Sequence, residues 1–273
     1  MFIVKKTITW RQALETLDFS INDGVARITL NRPQAGNTLN SAMGRDLMQA
    51  ALRCDEDASI RAVLLTGAGG IFCFGGDLKH FVAEGEHIGP LIKEITTYLH
   101  SAISRFTRMQ KPLVVAVNGI AAGAGVSLSA LGDVVLAAQS ATFTAAYTAA
   151  GLSPDGGSTY LLPRLIGMRR AQELFFTNRT LSAIEAVEWG LITRVVPDDE
   201  LMAEAEILVQ ALAQGPTAAF GTVKSLLAET FSTPLESQLE QEARGIARNA
   251  QGVDGREGVM SFVEKRKPAY KGE

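Results

Sequence analysis

Two stretches of the chain share one design. In LLTGAGGIFCFGGDLK and VVAVNGIAAGAGVSLSA, a continuous apolar run passes through clustered glycine and alanine into a segment that continues as helix. A run without polar alternation suits a strand buried on both faces, as in a parallel sheet. Parallel strands need crossover connections, so a chain built this way must alternate strand and helix.

The remaining pattern agrees. LDFSINDGVARITLNRP holds two alternating runs joined by Asn22-Asp23-Gly24, a hairpin signal. From Asn40, an N-cap candidate, Met43, Leu47, Ala51 and Cys54 recur at helical spacing up to DEDAS. AVLLTG is a strand candidate, and Ile95, Leu99, Ala102, Ile103 and Phe106 mark a helix that ends before Lys111-Pro112. LVVAVNG and DVVLAA are further strands. RRAQELFFTN and SAIEAVEWG are helices, the second with Ser182 and Glu185 as a capping box, and ITRVV is one more strand. Helix candidates at about 198–213, 216–230 and 234–250, and a short one from Gly255 to Glu264, close the chain. The expected architecture is an α/β core over residues 1–200 with a helical appendage over 201–273.

Composition narrows the function classes. The chain has 273 residues, 47% of them hydrophobic and 20% charged, which suffices for one large core. A net charge of -3 gives no general attraction to polyanions, so nucleic acid is not an expected partner. No apolar run reaches membrane-spanning length, and the start, MFIVKKTITWRQALETLDF, lacks the apolar centre of a secretory signal. A cytoplasmic protein that does not act at membranes is expected. Cys54 and Cys73 form no CxxC, and His80, His87 and His100 share no ligand spacing, so neither metal nor disulfide framework is expected. The basic tail EKRKPAYKG is either a frayed terminus or a clamp for ligand phosphates.

In a strand–turn–helix design the first N–H groups of the helix have no intrahelical partner, and small residues let a ligand approach them. Tight packing of helix on strand is the alternative use of the same residues. GxGxxG, GxxxxGK[ST] and GxSxG are all absent, which argues against dinucleotide, P-loop and serine-hydrolase chemistry. Two such turns could instead aim one N–H each at a single oxygen that gains charge during reaction.

The motifs VARITLNRPQAGNTLN, FCFGGDLK, KPLVVAVNGIAAGAGVSLS, GLSPDGGSTYLLPRLIG and RTLSAIEAVEWGLITRVV occur in this order. Together they resemble the enoyl-CoA hydratase/isomerase, or crotonase, superfamily, and the resemblance runs nearly the whole chain. It implies a crotonase-like (ClpP/crotonase) spiral of ββα units with a C-terminal helical region for oligomerisation, as a homotrimer or dimer of trimers. It also implies acyl-CoA thioester substrates, with CoA as part of the substrate and no separate cofactor. The two oxyanion-hole N–H groups fall on Gly76 and Ala124, the latter where glycine is common.

The hydratases' two water-activating glutamates match Ser127 and Tyr147, neither of which can be a carboxylate base. Asp155 falls where isomerases of the family, including those acting on the ring epoxide of phenylacetyl-CoA, carry their acid/base aspartate. It also matches the nucleophile of 4-chlorobenzoyl-CoA dehalogenases, whose resemblance extends through GMRRAQELFFTNRTL and includes His100. Those dehalogenases differ at Gly76 and Tyr147, where they carry aromatics. The matching further sets Gln34, Phe74, Asp77, Leu78, Lys79 and Leu152 along the substrate, and Phe262 and Lys265 at its adenine end, on this subunit or a neighbour.

As bare sequence, Asp155 between Pro154 and two glycines is a turn residue or an N-cap; the resemblance makes it the proton carrier. Leu152, Leu161 and Leu162 are expected to wall it. Tyr147 either donates to the acyl group or lines the pocket, His100 is either a packed imidazole or a catalytic one, and Lys79 either meets CoA phosphates or is a surface lysine. The favoured activity is double-bond isomerisation. A hydratase, a dehalogenase-like enzyme and a non-catalytic acyl-CoA binding subunit are the alternatives.

Overall fold

The hairpin forms where its turn chemistry places it. In the computed structural model, which describes residues 14–273, β1 (Leu17–Asn22) pairs antiparallel with β2 (Val25–Leu30). Asp23 (φ 53°) and Gly24 (φ 78°) supply the two left-handed residues of a tight turn. The segment MFIVKKTITWRQA, part of the chain start considered above, lies outside the described residues.

From β2 a sheet of six strands continues through β3 (Ala62–Gly67), β5 (Leu113–Val117), β7 (Val134–Ala138) and β10 (Arg194–Val196), each parallel to its neighbour. All residues of β3 and β5 are buried, which is why they carry no polar alternation. The strands between them, β4 (Ile71–Cys73), β6 (Ile120–Ala122), β8 (Thr142–Thr144) and β9 (Thr180–Ser182), form a second sheet of four in that order. In the units β3–β4, β5–β6 and β7–β8 the chain lays one strand in each sheet before the next helix. This is the spiral of ββα units.

The helices are α1 (Ser41–Glu56), α2 (Leu78–Ala83), α3 (Ile88–Arg108), α4 (Ala124–Ser129), α5 (Ser158–Ile166), α6 (Met168–Thr177) and α7 (Ala183–Trp189). The C-terminal region adds α8 (Leu201–Ala213), α9 (Thr217–Glu229), α10 (Leu235–Gln251) and α11 (Val253–Val263). Asn40 caps α1 by accepting the Met43 N–H at 2.9 Å, and Ser182 and Glu185 form the capping box of α7. Among the described residues, no helix is long and apolar enough to cross a membrane.

The basic tail is not a frayed end. The buried Asp254 carboxylate accepts the N–H groups of Lys271 and Gly272 at 2.6 and 2.7 Å, and Arg61 donates to the Tyr270 carbonyl at 3.1 Å. Arg266 grips Glu257 through both guanidinium nitrogens (2.6 and 2.9 Å), and the Ala269 N–H adds a third bond. The Arg266 hydrogen bonds, then that from Ala269, hold the Glu257 carboxyl down at about 2, against 4.5 ordinarily. A depressed carboxyl contributes fully above its unfolded value and loses that contribution as pH falls through its folded value. The protection of the Ala269 amide, its exchange measured against the unstructured rate at the same pH, should therefore fall between about pH 4.5 and 2, and Glu257→Gln should show the lowered protection already at pH 7. Slow exchange in Glu257→Gln at pH 7 would contradict this assignment.

Candidate active site

The small sheet positions the site. β4, β6 and β8 are parallel neighbours, in register at Ile71↔Ile120, Cys73↔Ala121 and Ala122↔Thr144. Their carboxyl ends therefore turn side by side, the usual place for a ligand crevice in α/β sheets. The turn after β4 carries Phe74 and Gly76, the one after β6 carries Ala124, and the one after β8 carries Tyr147. All four line a cleft of about 310 Å³ together with Leu78, Leu152 and Asp155.

The first two turns touch backbone to backbone. Gly75 has φ +87°, and a Cβ there would stand 2.8 Å from the Ala122 carbonyl oxygen and 3.2 Å from the Ala124 nitrogen. Only glycine meets both demands. The Gly75 N–H is taken by Cys73 Sγ at 3.3 Å, whereas those of Gly76 and Ala124 have no hydrogen-bond partner among the described residues. Ala124 is the first residue of α4, where an N–H is left over by helix geometry. The arrangement leaves two free N–H groups on touching turns at one cleft, which suits an oxygen that acquires negative charge. Burial pushes the thiols of Cys54 and Cys73 up to about 12, so neither is a nucleophile near neutral pH.

Asp155 reaches the same cleft by a tight approach. Gly156 (φ +60°) follows it, and a Cβ there would stand 2.8 Å from Ser127 Cβ on α4. The turn is thereby pressed against α4, and His100 Nε2 on α3 takes the Gly156 N–H at 3.2 Å. The Asp155 side chain does not cap α5, whose N-cap position makes no side-chain bond. Its main-chain oxygen instead accepts from the Ser158 N–H (3.1 Å) and hydroxyl (2.8 Å). Its carboxylate Oδ1 accepts the Tyr147 phenol at 2.7 Å, and Ser127 Oγ lies 3.1 Å from that phenol oxygen. Burial, then the Asp155 charge, raise the Tyr147 phenol above its ordinary value and keep it protonated. Among the described residues lining the cleft, Asp155 is the only carboxylate.

The structure divides the candidate residues. Gly76, Ala124, Asp155, Phe74, Leu78, Tyr147 and Leu152 converge on the cleft. Tyr147 lines it, but its hydroxyl is bonded to Asp155 rather than left for an acyl group. Ser127 is fully buried behind it. Asp77 is structural: it caps α2 by accepting the His80 N–H at 3.2 Å and pairs with Arg32 at 3.0 Å. Burial works against its ionisation, yet Arg32 and the His80 N–H hold its carboxyl below the usual range. Gln34 and Lys79 are exposed outside the cleft lining. His100 is exposed and staples the Asp155 turn to α3 instead of lining the cleft. Phe262 and Lys265 are exposed at the end of α11. Of the three leucines expected to wall Asp155, only Leu152 does so, since Leu161 and Leu162 pack with the main core.

The cleft also has a roof that motif matching did not supply: Phe81 from α2 and Ile92, Ile95 and Leu99 from α3. The apolar stripe of α3 was legible as periodicity, but its upper end serves the cleft while its lower end, at Phe106, serves the core.

The chain belongs to the enoyl-CoA hydratase/isomerase family, whose model matches residues 20–273. A Rhodobacter capsulatus protein named "Probable enoyl-CoA hydratase" is 42% identical over 257 residues, covering 94% of this chain and 98% of its own. The 1,2-epoxyphenylacetyl-CoA isomerase of Escherichia coli is 38% identical over 253 residues, covering 92% and 97%. The crystal structure of an enoyl-CoA hydratase from Bacillus anthracis superposes with a TM-score of 0.89 at 33% identity, covering 95% of this chain and 100% of that one.

Proposed function

We propose that the protein is an acyl-CoA isomerase that shifts a double bond in an enoyl-CoA thioester, ring-derived thioesters included. One observation carries this reading: a single carboxylate, Asp155, faces the cleft, beside the turns that bear the free N–H groups of Gly76 and Ala124. Where the family's hydratases hold water with two glutamates, this chain has Ser127 and Tyr147. The similarity to an epoxyphenylacetyl-CoA isomerase supports the same choice. The apolar roof of Phe81, Ile92 and Ile95 suits a hydrocarbon or ring acyl group.

In this mechanism the thioester oxygen accepts both N–H groups. Asp155 takes the proton from the carbon beside the thioester, and the C–H electron pair moves into an enolate whose charge rests on the held oxygen. The carboxylic acid so formed returns the proton at the far end of the conjugated system, and the double bond has moved. Atoms and electrons balance without a redox partner. Each donor in such a hole is worth about 10²–10³ in rate, and a positioned general base about 10²–10⁴.

Assembly into trimers is part of the proposal. Leu235, Leu239 and Ile246 form an exposed apolar stripe on α10, which buries only Gly245. Sedimentation equilibrium should return three or six times the 29.1 kDa chain mass, and a monomer or dimer at micromolar concentration would refute this part. The activity is tested by offering 3-enoyl-, 2-enoyl- and aryl-CoA thioesters to the purified protein, separating the isomers by liquid chromatography and following each by mass spectrometry. Isomerisation of an enoyl thioester at unchanged mass is expected; water addition, halide loss or no turnover at all would sink the reading.

A further inference from the structure

The Tyr147 phenol has a second neighbour that defines its duty. Ser127 has one hydroxyl proton and two oxygens within reach, the Tyr147 phenol at 3.1 Å and the Asp155 main-chain oxygen at 3.2 Å. The main-chain oxygen already accepts from the Ser158 N–H and the Ser158 hydroxyl, which occupy its two lone pairs. Ser127 is fully buried and cannot turn to solvent instead. Its proton is best satisfied on the phenol oxygen. The result is a chain, Ser127 to Tyr147 to Asp155, in which each donor polarises the next.

We propose that Tyr147 is a positioning residue for proton transfer: it grips Asp155 by Oδ1 and leaves Oδ2 to face the substrate, while Ser127 sets the direction of the phenol. Oδ2 has no hydrogen-bond partner among the described residues. This assignment rests on Asp155 being the base of the isomerase.

Two effects of the phenol oppose each other. A hydrogen bond to the ionised carboxylate makes it a weaker base, which slows proton abstraction. The same bond fixes the carboxylate against the reacting carbons, and a misplacement of about 1 Å can cost about 10²-fold. Base strength is only partly expressed in the transition state, so this loss is the smaller of the two effects. Positioning therefore wins.

The test compares wild type, Tyr147→Phe, Ser127→Ala and the double variant on an enoyl thioester that the wild type isomerises. Phenylalanine keeps the ring, so the fold should hold, and thermal unfolding checks that it does. For Tyr147→Phe, kcat is expected to fall about 10- to 100-fold with KM within about threefold. His100, bonded to the Gly156 N–H, is the other titratable side chain tied to this turn, and these variants leave it in place. Ser127→Ala should lower kcat the same way by less, and the double variant should match Tyr147→Phe alone, since one chain is cut either way. An unchanged or raised kcat in Tyr147→Phe, a rise in KM as large as the loss in kcat, or losses that add in the double variant would overturn the positioning role. Failure of the wild type to isomerise any enoyl thioester would instead remove the isomerase reading, and this role with it.

Discussion

Asp155→Asn should lower turnover of an enoyl-CoA thioester by at least about 10²-fold while CoA affinity stays near the wild-type value. Asparagine keeps the size of the side chain and can still accept the Tyr147 phenol through Oδ1. The backbone of the turn is held independently, by Ser158 on the Asp155 oxygen and by His100 on the Gly156 N–H. The substitution thus removes the base and leaves its mounting. Calorimetric titration with CoA, beside initial rates, separates binding from chemistry. Turnover within threefold of the wild type would take Asp155 out of the mechanism, and an equal loss of CoA affinity would point to a damaged cleft instead.

Gly75→Ala should be nearly as damaging, although Gly75 donates to no substrate. Its φ of +87° is one that alanine rarely adopts, and the new Cβ would stand 2.8 Å from the Ala122 oxygen and 3.2 Å from the Ala124 nitrogen. Both obstacles are backbone, so relief requires the two turns to part. The expected cost is about 1–3 kcal/mol of stability from strain and overpacking. A fall in kcat/KM of about 10²-fold should accompany it, the worth of one misplaced donor. Gly76→Ala is the informative comparison. Its added Cβ meets only the tip of the Phe81 ring, at 2.8 Å, and a side-chain tip can swing away. The residue that carries the donor should therefore tolerate alanine better than its neighbour does. Steady-state kinetics of the two variants decide this, and a milder effect at Gly75 than at Gly76 would mean that the contact between turns does not shape the site.

The parts of this structure that were legible in the sequence are those fixed by local chemistry. Asn22-Asp23-Gly24 needs only its own left-handed preference to make the hairpin, Asn40 caps the helix that follows it, and Ser182 with Glu185 closes a capping box four residues long. Buried β3 and β5 announce themselves by unbroken apolar runs. By contrast, β4, β6 and β8 are three residues each, too short for any alternation to register, and they exist because they pair with one another across large sequence separations. α2 and its roof residue Phe81 likewise follow a glycine-rich turn that carries no helical period of its own.

The site divides along the same line. Gly76, Ala124 and Asp155 could be placed by motif, but the contact between the first two turns comes from the pairing of β4 with β6, and that of the Asp155 turn from Gly156 against α4, neither of which a local pattern encodes. The bond from Tyr147 to Asp155 spans eight residues with a 3-10 turn, Thr148–Ala150, between them, so neither helical nor strand spacing predicts it. The tail misled in the opposite way: its basic composition suggests a solvated end, yet Asp254 and Glu257 on α11 and Arg61, distant in sequence, hold its backbone.

The proton-transfer account meets its most direct test in deuterated water. Purified protein is incubated with a 3-enoyl-CoA thioester and the product is examined by mass spectrometry and NMR. The account predicts the conjugated 2-enoyl isomer, with any deuterium confined to the carbons between which Asp155 carries the proton and with no oxygen added. A product that has taken up a molecule of heavy water across the double bond, or a thioester recovered bound but chemically unchanged, would contradict it.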